Sequence, residues 1–433
     1  MDKIKIKGKK RLFGEVQISG AKNAALPILA SALLCDGKSV FHNVPDLVDV
    51  RSILMLSEEL GAKTQMNNGV VEIDSSGLNN HLAPYEIVRK MRASILVLGP
   101  LVARLGKACV SLPGGCAIGA RPVNLHIEGL EKLGAEVHIS HGYINASAKR
   151  LKGNEINFDT VTVTGTENLM MAAVFAKGET VLENTAREPE ILNLVETLRS
   201  MGAIIEADGT GVIRIQGVDS LHSAESRIIP DRIEACTYIL AGAATNGEVT
   251  VTGVIPNHID SLLAKLEEAG AQMTVTHDEV TIHPSGRLKG VSLKTLPYPG
   301  FPTDLQPQIM ASLCIAQGTS VIQESVFQSR FLHVSELNKM GAKIDIQGNT
   351  AIVSGVDRLT GADVVATDLR AGAALVISGL AAGDSTYIYH LGHIRRGYED
   401  MEEKLKSLGA DVEILPAEID GTRESQSSVC RES

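Results

Sequence analysis

Tryptophan is absent from the 433 residues, and aromatic residues of all kinds amount to only 3%. A core organised around stacked rings is thereby excluded, and the interior has to be assembled from Ala, Val, Ile and Leu. An excess of basic residues is also lacking: 41 Lys and Arg face 51 Asp and Glu, a net charge of −10. That excludes a general nucleic-acid binder, which needs a basic surface to neutralise phosphates. It leaves open a small anionic ligand, which senses only its local site. The six cysteines (Cys35, Cys109, Cys116, Cys236, Cys314, Cys430) form no Cys-x-x-Cys pair and have no histidine at zinc spacing, so no metal site is expected. Most lie in apolar runs, which predicts buried, reduced thiols in a cytosolic protein rather than disulfides. No apolar run reaches the roughly 18 residues needed to cross a bilayer, and Met1 to Phe13 lacks the apolar h-region of a signal peptide. A soluble, cytoplasmic protein with no membrane partner is expected. There is no Gly-x-Gly-x-x-Gly fingerprint. Gly37-Lys38-Ser39 carries Ala32 where a P-loop requires glycine, so it reads as a turn.

What the chain does contain is repetition. Its length exceeds a single hydrophobic core and predicts two domains. A Gly-Ala step recurs at Gly61, Gly134, Gly202, Gly270, Gly341 and Gly409, at intervals of 73, 68, 68, 71 and 68 residues. Amphipathic text precedes each step, as in Leu262 to Glu268, and predicts a helix with one buried face closed by a glycine cap. Alternating text follows most copies, as in Ala342 to Ile346, and predicts strand. A second glycine series (Gly37, Gly106, Gly178, Gly247, Gly318, Gly383) runs in phase and closes segments that are apolar on nearly every side, such as Ala24 to Leu34 and Ala371 to Ala382. Helices of that kind must be enclosed. Six units of about 70 residues, each with one enclosed helix, one half-exposed helix and several strands, fit two domains of three units. The fold class expected is α/β, with greasy helices inside and sheets outside.

Polar residues gather at the entrances of the enclosed segments: Lys22 and Asn23, Arg92, Thr166 to Asn168, Asp231 to Glu234, Thr303 and Asp304, and Asp368 to Arg370. A helix entrance presents unpaired N–H groups and a positive dipole end, which favour anions. Cations also follow the first strand of several units: Arg121, Arg330, Arg395 and Arg396. Arginines at equivalent places suit a phosphate or carboxylate ligand. Asp231 and Thr303 are of the types that cap helices, and capping is the role expected of them. The run Leu112-Pro113-Gly114-Gly115-Cys116-Ala117, with Arg121 four residues on, sets a thiol on a glycine-rich loop near a guanidinium. It reads equally well as a small apolar residue in a turn or as a thiol acting on an anionic substrate.

Taken together, several segments are specific. They are Ser19 to Ala25, Met91 to Ser94, Leu112 to His126, Arg187 to Glu190, Pro230 to Glu234, Phe301 to Asp304, Arg330-Phe331, Thr367 to Arg370 and Arg396 to Glu399. On these the chain resembles the UDP-N-acetylglucosamine 1-carboxyvinyltransferase family of enolpyruvyl transferases, over all but the tail. The resemblance implies two inside-out α/β barrel-like domains, each of three βαβαββ repeats: residues 22–229, and residues 1–21 plus 230–418. Residues 419–433 are polar and unpatterned, a composition that predicts disorder. It implies transfer of the enolpyruvyl group of phosphoenolpyruvate to the 3′-hydroxyl of UDP-N-acetylglucosamine with release of phosphate, the committed step of peptidoglycan precursor synthesis. The partners implied are those two small molecules, with no cofactor, no metal and no nucleic acid; the sequence leaves the oligomeric state open.

By the same resemblance Cys116 is the proton donor, Asp304 the base at the sugar hydroxyl, and Lys22, Asn23, Arg121 and Arg396 hold phosphoenolpyruvate. Arg92, Arg121, Pro122, Val123, Asn124, Leu125, Asp304 and Val326 bind the sugar nucleotide; Arg330, Asp368 and Arg370 complete the site. Asn124 stands where some members carry Asp, which keeps an acceptor and removes a charge. Two rivals predict different behaviour. A 5-enolpyruvylshikimate-3-phosphate synthase would lack the cysteine loop, and a non-catalytic sugar-nucleotide sensor would bind without releasing phosphate.

Overall fold

The computed structural model describes residues 2–89, 91–112 and 123–416. Six four-stranded sheets share one plan. A short edge strand runs parallel to its neighbour, and two antiparallel strands follow. One example is Glu155–Asn157 beside Glu179–Glu183, then Val212–Gln216 and Ile204–Ala207. The antiparallel strands alternate buried and exposed positions, as expected of sheets with one face against a core.

The repeats do not close on themselves in sequence order. The first sheet takes its parallel edge from Glu225–Arg227, beside Lys38–His42. The sheet around Glu248–Thr252 takes its edge from Phe13–Gln17. The last sheet places Lys3–Lys7 between Ser385–Tyr389 and Asp411–Leu415, pairing Ile4 with both Ile388 and Ile414. Chain segments thus cross between the lobes twice. They cross side by side: Gly20 bridges Pro230, the Ala21 N–H donates to the Ile229 carbonyl at 2.7 Å, and the Asp231 N–H donates to the Ser19 carbonyl at 2.9 Å. Only glycine fits at position 20, because a Cβ there would lie 1.8 Å from the Asn43 carbonyl oxygen.

Two hydrophobic cores result. One is drawn from Ala21 to Ile228; the other joins Ile4 to Ile18 with Ile233 to Val412. The helices Lys22–Ser31, Leu98–Leu105 and Val163–Ala173 pack at the centre of the first, and Arg232–Ala244, Gln306–Leu313 and Leu369–Ala381 at the centre of the second. Most positions along them are buried, so each Val, Leu, Ile or Met side chain contributes about 1.5–3 kcal/mol of burial, and each Ala less. The amphipathic helices lie outside, each stopped by its Gly-Ala step. All six of those glycines have φ between +82° and +105°, the left-handed conformation that a helix C-cap uses. The second glycine series is less uniform than its spacing predicts. Gly37, Gly106, Gly178 and Gly318 have positive φ, whereas Gly247 does not. Position 247 needs glycine for room: a Cβ there would meet the Leu12 carbonyl oxygen at 2.2 Å.

Candidate active site between the lobes

Helix entrances from both lobes meet at Asp231. Asp231 caps Arg232–Ala244, accepting the N–H groups of Ile233 and Glu234 at 2.8 and 3.0 Å. Its other oxygen accepts the Lys22 N–H at 3.2 Å, so one carboxylate serves helix entrances in both lobes. Asp368 caps Leu369–Ala381, accepting from the Arg370 and Ala371 N–H groups at 2.8 and 3.0 Å. The capping role expected of Asp231 is therefore present. Thr303 does not cap: it begins the turn Thr303–Leu305 and its hydroxyl donates to Glu324 at 2.9 Å.

Three of the cations and carboxylates expected at the site, Asp304, Arg330 and Arg370, come together. Arg370 donates to Asp304 Oδ2 through Nη2 at 3.0 Å and Nε at 3.2 Å, and Arg330 donates to Asp304 Oδ1 at 3.0 Å. Both arginine side chains are only 2% exposed, while Asp304 keeps 28% of its side chain accessible. Asp304 is thus the part of this cluster that a ligand can reach. Arg370 also donates to the Tyr398 hydroxyl at 3.3 Å, which meets Thr237 and Gln308 at 3.1 Å. Burial opposes the charge on Arg370, but Asp304, Tyr398 and Asp231 together outweigh it and raise the pKa, so the guanidinium is a permanent cation.

Lys22 and Arg396 approach from opposite lobes and share a carboxylate that the sequence reading missed. Asp49, at the start of the helix Val48–Glu59, accepts from Arg396 Nε at 2.9 Å and lies 3.6 Å from Lys22 Nζ. Its side chain is 4% exposed. A lone carboxylate on the buried face of an amphipathic helix was the available signal, since such a group is rarely buried without a partner. Burial lowers the Lys22 pKa. Asp49 and Asp304 oppose that shift, and Arg370 and Arg396 add to it. Lys22 therefore senses charges of both carboxylates and of two of the three arginines.

The other residues expected at the site have the following places in the fold. Asn23 follows Lys22 in the first turn of its helix. Arg92 opens the turn Arg92–Val97. Val123 precedes the helix Asn124–Lys132, whose exposed Asn124 donates to Glu128 at 3.2 Å, and Leu125 is half-buried. Val326 is 40% exposed, and its N–H donates to Glu324 at 2.8 Å. Cys116, Arg121 and Pro122 lie outside the described residues.

More contacts hold the lobes together beside the centre. Glu399 accepts from the Ser19 hydroxyl at 2.5 Å and from the Asp46 N–H at 2.6 Å. Arg232 donates to Glu190 at 2.9 Å in a pair whose side chains are 8% and 4% exposed. Within the second lobe, Lys404 donates to Glu234 at 2.7 Å, yet burial of Glu234 outweighs that contact and raises its pKa to about 7. His333, buried near Asp368 and Arg330, has its pKa pushed down to about 4 and is neutral at physiological pH. Among the described residues no cluster of His, Cys, Asp and Glu could hold a metal, and no helix is long and apolar enough to cross a membrane.

Comparison with known proteins places the arrangement. Residues 6–405 match the family model described as EPSP synthase (3-phosphoshikimate 1-carboxyvinyltransferase). The chain is 58% identical over 413 residues to a UDP-N-acetylglucosamine 1-carboxyvinyltransferase of Desulforapulum autotrophicum, covering 95% of this chain and 99% of that protein. It is 53% identical over 415 residues to the protein of the same name from Myxococcus xanthus, with the same coverage. Among solved structures, the enolpyruvyl transferase NikO from Streptomyces tendae superposes with a TM-score of 0.86 at 26% identity, over 95% of this chain and 98% of its own. An EPSP synthase from Acinetobacter baumannii shares the fold at a TM-score of 0.76 and 17% identity, over 96% of this chain and 100% of its own. The chain belongs to the enolpyruvyl (carboxyvinyl) transferase family, in the branch of the UDP-N-acetylglucosamine 1-carboxyvinyltransferases.

Proposed function

We propose that the protein transfers the enolpyruvyl group of phosphoenolpyruvate to the 3′-hydroxyl of UDP-N-acetylglucosamine, and that the charged cluster where the two lobes meet is the place. One observation carries the reading: Lys22, Arg330, Arg370 and Arg396 converge on Asp49 and Asp304 from both lobes. The relatives' shared name favours this acceptor over shikimate 3-phosphate.

The reaction is an addition followed by an elimination. The sugar oxygen bonds to C2 of phosphoenolpyruvate as C3 gains a proton. Loss of a C3 proton and departure of phosphate then restore the double bond. Lys22 and Arg396 neutralise the phosphate and carboxylate of the donor, joined by Asn23 and Arg121. Preplaced cations in a site that excludes water stabilise charge without reorganising during the reaction. Asp304 receives the hydroxyl proton. Both its oxygens accept from arginines, and its accessible side is where the sugar hydroxyl can add its own hydrogen bond. Cys116 supplies the proton to C3: a thiol near its ordinary pKa is mostly protonated at neutral pH and can act as an acid. Arg92, the run Arg121-Pro122-Val123-Asn124-Leu125 and Val326 bind the nucleotide and sugar. Arg330 and Arg370 hold Asp304, and Asp368 sets the entrance of the Arg370 helix. The two lobes, residues 22–229 and residues 1–21 plus 230–418, act as the domains that close on the substrates. In this reading the protein works in the cytoplasm on peptidoglycan precursors.

Phosphate release measured with phosphoenolpyruvate plus either UDP-N-acetylglucosamine or shikimate 3-phosphate tests the assignment. Release that depends on UDP-N-acetylglucosamine is expected. Release with shikimate 3-phosphate alone overturns the acceptor, and binding without release makes the protein a sensor. Cys116→Ser should abolish turnover and labelling by the epoxide fosfomycin while leaving UDP-N-acetylglucosamine binding near normal.

A further inference from the structure

Four hydrogen bonds end on Glu324. It is 2% exposed and follows the strand Thr319–Gln323. Oε1 accepts the Thr295 hydroxyl at 2.7 Å, the Val326 N–H at 2.8 Å and the Phe327 N–H at 3.1 Å. Oε2 accepts the Thr303 hydroxyl at 2.9 Å. Three separate pieces of backbone therefore rest on one carboxylate. Thr295 adds a second tie, accepting the Ser325 N–H at 2.9 Å.

The connections close into a ring. Thr303 precedes Asp304; Asp304 accepts from Arg330 at 3.0 Å; the Arg330 guanidinium lies 5.6 Å over the Phe327 ring; and the Phe327 N–H returns to Glu324. The links to Glu324 and Asp304 are hydrogen bonds to charged acceptors, the stronger kind. A closed ring fixes the distance between the Asp304 turn and the loop Val326–Arg330 more firmly than any single link, because no member can move without breaking two.

We propose that Glu324 is a positioning residue for the acceptor sugar. It holds the Asp304 turn and the Val326 loop at the separation at which both meet the same sugar ring. This rests on the acceptor assignment above. The residue does not touch substrate. It acts through Thr303 on one side and through the backbone of Val326 and Phe327 on the other. The donor's cations Lys22 and Arg396 are held by Asp49 and lie outside the ring, so a change at Glu324 should act selectively on the acceptor.

The experiment is titration calorimetry of UDP-N-acetylglucosamine together with steady-state phosphate release, on the full-length wild type, Glu324→Ala and Glu324→Gln. Glu324→Ala is expected to weaken acceptor binding at least tenfold. Glu324→Gln keeps an oxygen for the two N–H groups and turns its amide toward the Thr303 hydroxyl, so it should stay within threefold of wild type. Acceptor binding by a folded Glu324→Ala within twofold of wild type overturns the proposal, as does equal loss in both variants. Thr303→Val cuts only the arm that reaches the Asp304 turn, and serves if the alanine variant fails to fold. It should lower kcat at least threefold at saturating acceptor, and an unchanged kcat overturns the proposal. A wild type that releases no phosphate with this acceptor refutes the functional assignment instead, which separates the two failures.

Discussion

Asp49→Asn tests the electrostatics of the donor site most directly. The Asp49 carboxylate lies 3.6 Å from Lys22 Nζ, with both side chains nearly inaccessible. Unit charges at that spacing interact by about 4–5 kcal/mol at an effective dielectric near 20. Part of this is offset by the desolvation of Asp49, and Arg396 competes for the same oxygens. The scale for a hydrogen bond to a charged partner, about 1.5–3 kcal/mol, is a reasonable net figure. Even its lower end is about a tenfold change in the proton affinity of Lys22. The sign follows from the groups that face the lysine. Burial, Arg370 and Arg396 lower its pKa, whereas Asp49 and Asp304 raise it. Wild-type Lys22 therefore loses its proton at a lower pH than an ordinary lysine, and neutralising Asp49 moves that loss lower still. Turnover is the wrong readout, because a free thiol ordinarily titrates on the alkaline side as well. Phosphoenolpyruvate affinity should instead be followed against pH in a Cys116→Ser background with UDP-N-acetylglucosamine present. The alkaline fall in affinity should move to lower pH in Asp49→Asn and return in Asp49→Glu. A fall that stays in place, or moves upward, refutes the claim that Asp49 keeps Lys22 charged.

Four other outcomes are expected. Asp304→Asn should reduce kcat by roughly 10²–10⁴, the usual contribution of a positioned acid or base; a loss below tenfold removes Asp304 from that role. Glu190→Ala leaves Arg232 buried without its partner and should destabilise the fold by about 3–5 kcal/mol in urea unfolding; a change under about 1 kcal/mol would contradict the burial of that pair. Gly134→Ala adds a Cβ in open space at φ +86°, so only backbone strain remains; a loss of about 1–2 kcal/mol is expected, partly recovered by Asn. Glu234 has a folded-state pKa near 7, above its ordinary 4.5. Its contribution to stability is present below pH 4.5 and is lost as pH rises to 7; Glu234→Gln should flatten that part of the stability–pH curve, and an unchanged slope refutes it.

The architecture was legible because it is periodic. The Gly-Ala steps mark helix ends that need a left-handed residue, and the enclosed helices announce themselves by lacking a polar face. Both signals are local, so a linear reading finds them. Capping was harder: Asp231 and Thr303 have the same cap-forming chemistry in sequence, yet only Asp231 caps a helix. Thr303 is drawn off by Glu324, which comes 21 residues later and folds back beside it.

The sequence by itself determined the repeat, the enclosed helices, the aliphatic core and a set of charges at helix entrances. Tertiary structure alone decided which charges meet. Asp49 and Arg396 are 347 residues apart, Asp46 and Glu399 are 353 apart, and no local pattern links either pair. Hydrophobic periodicity is written residue by residue because each side chain meets the core on its own. An ion pair exists only where two distant segments arrive together. That arrival is set by how the lobes pack and by the two strands at Gly20 and Pro230 that join them.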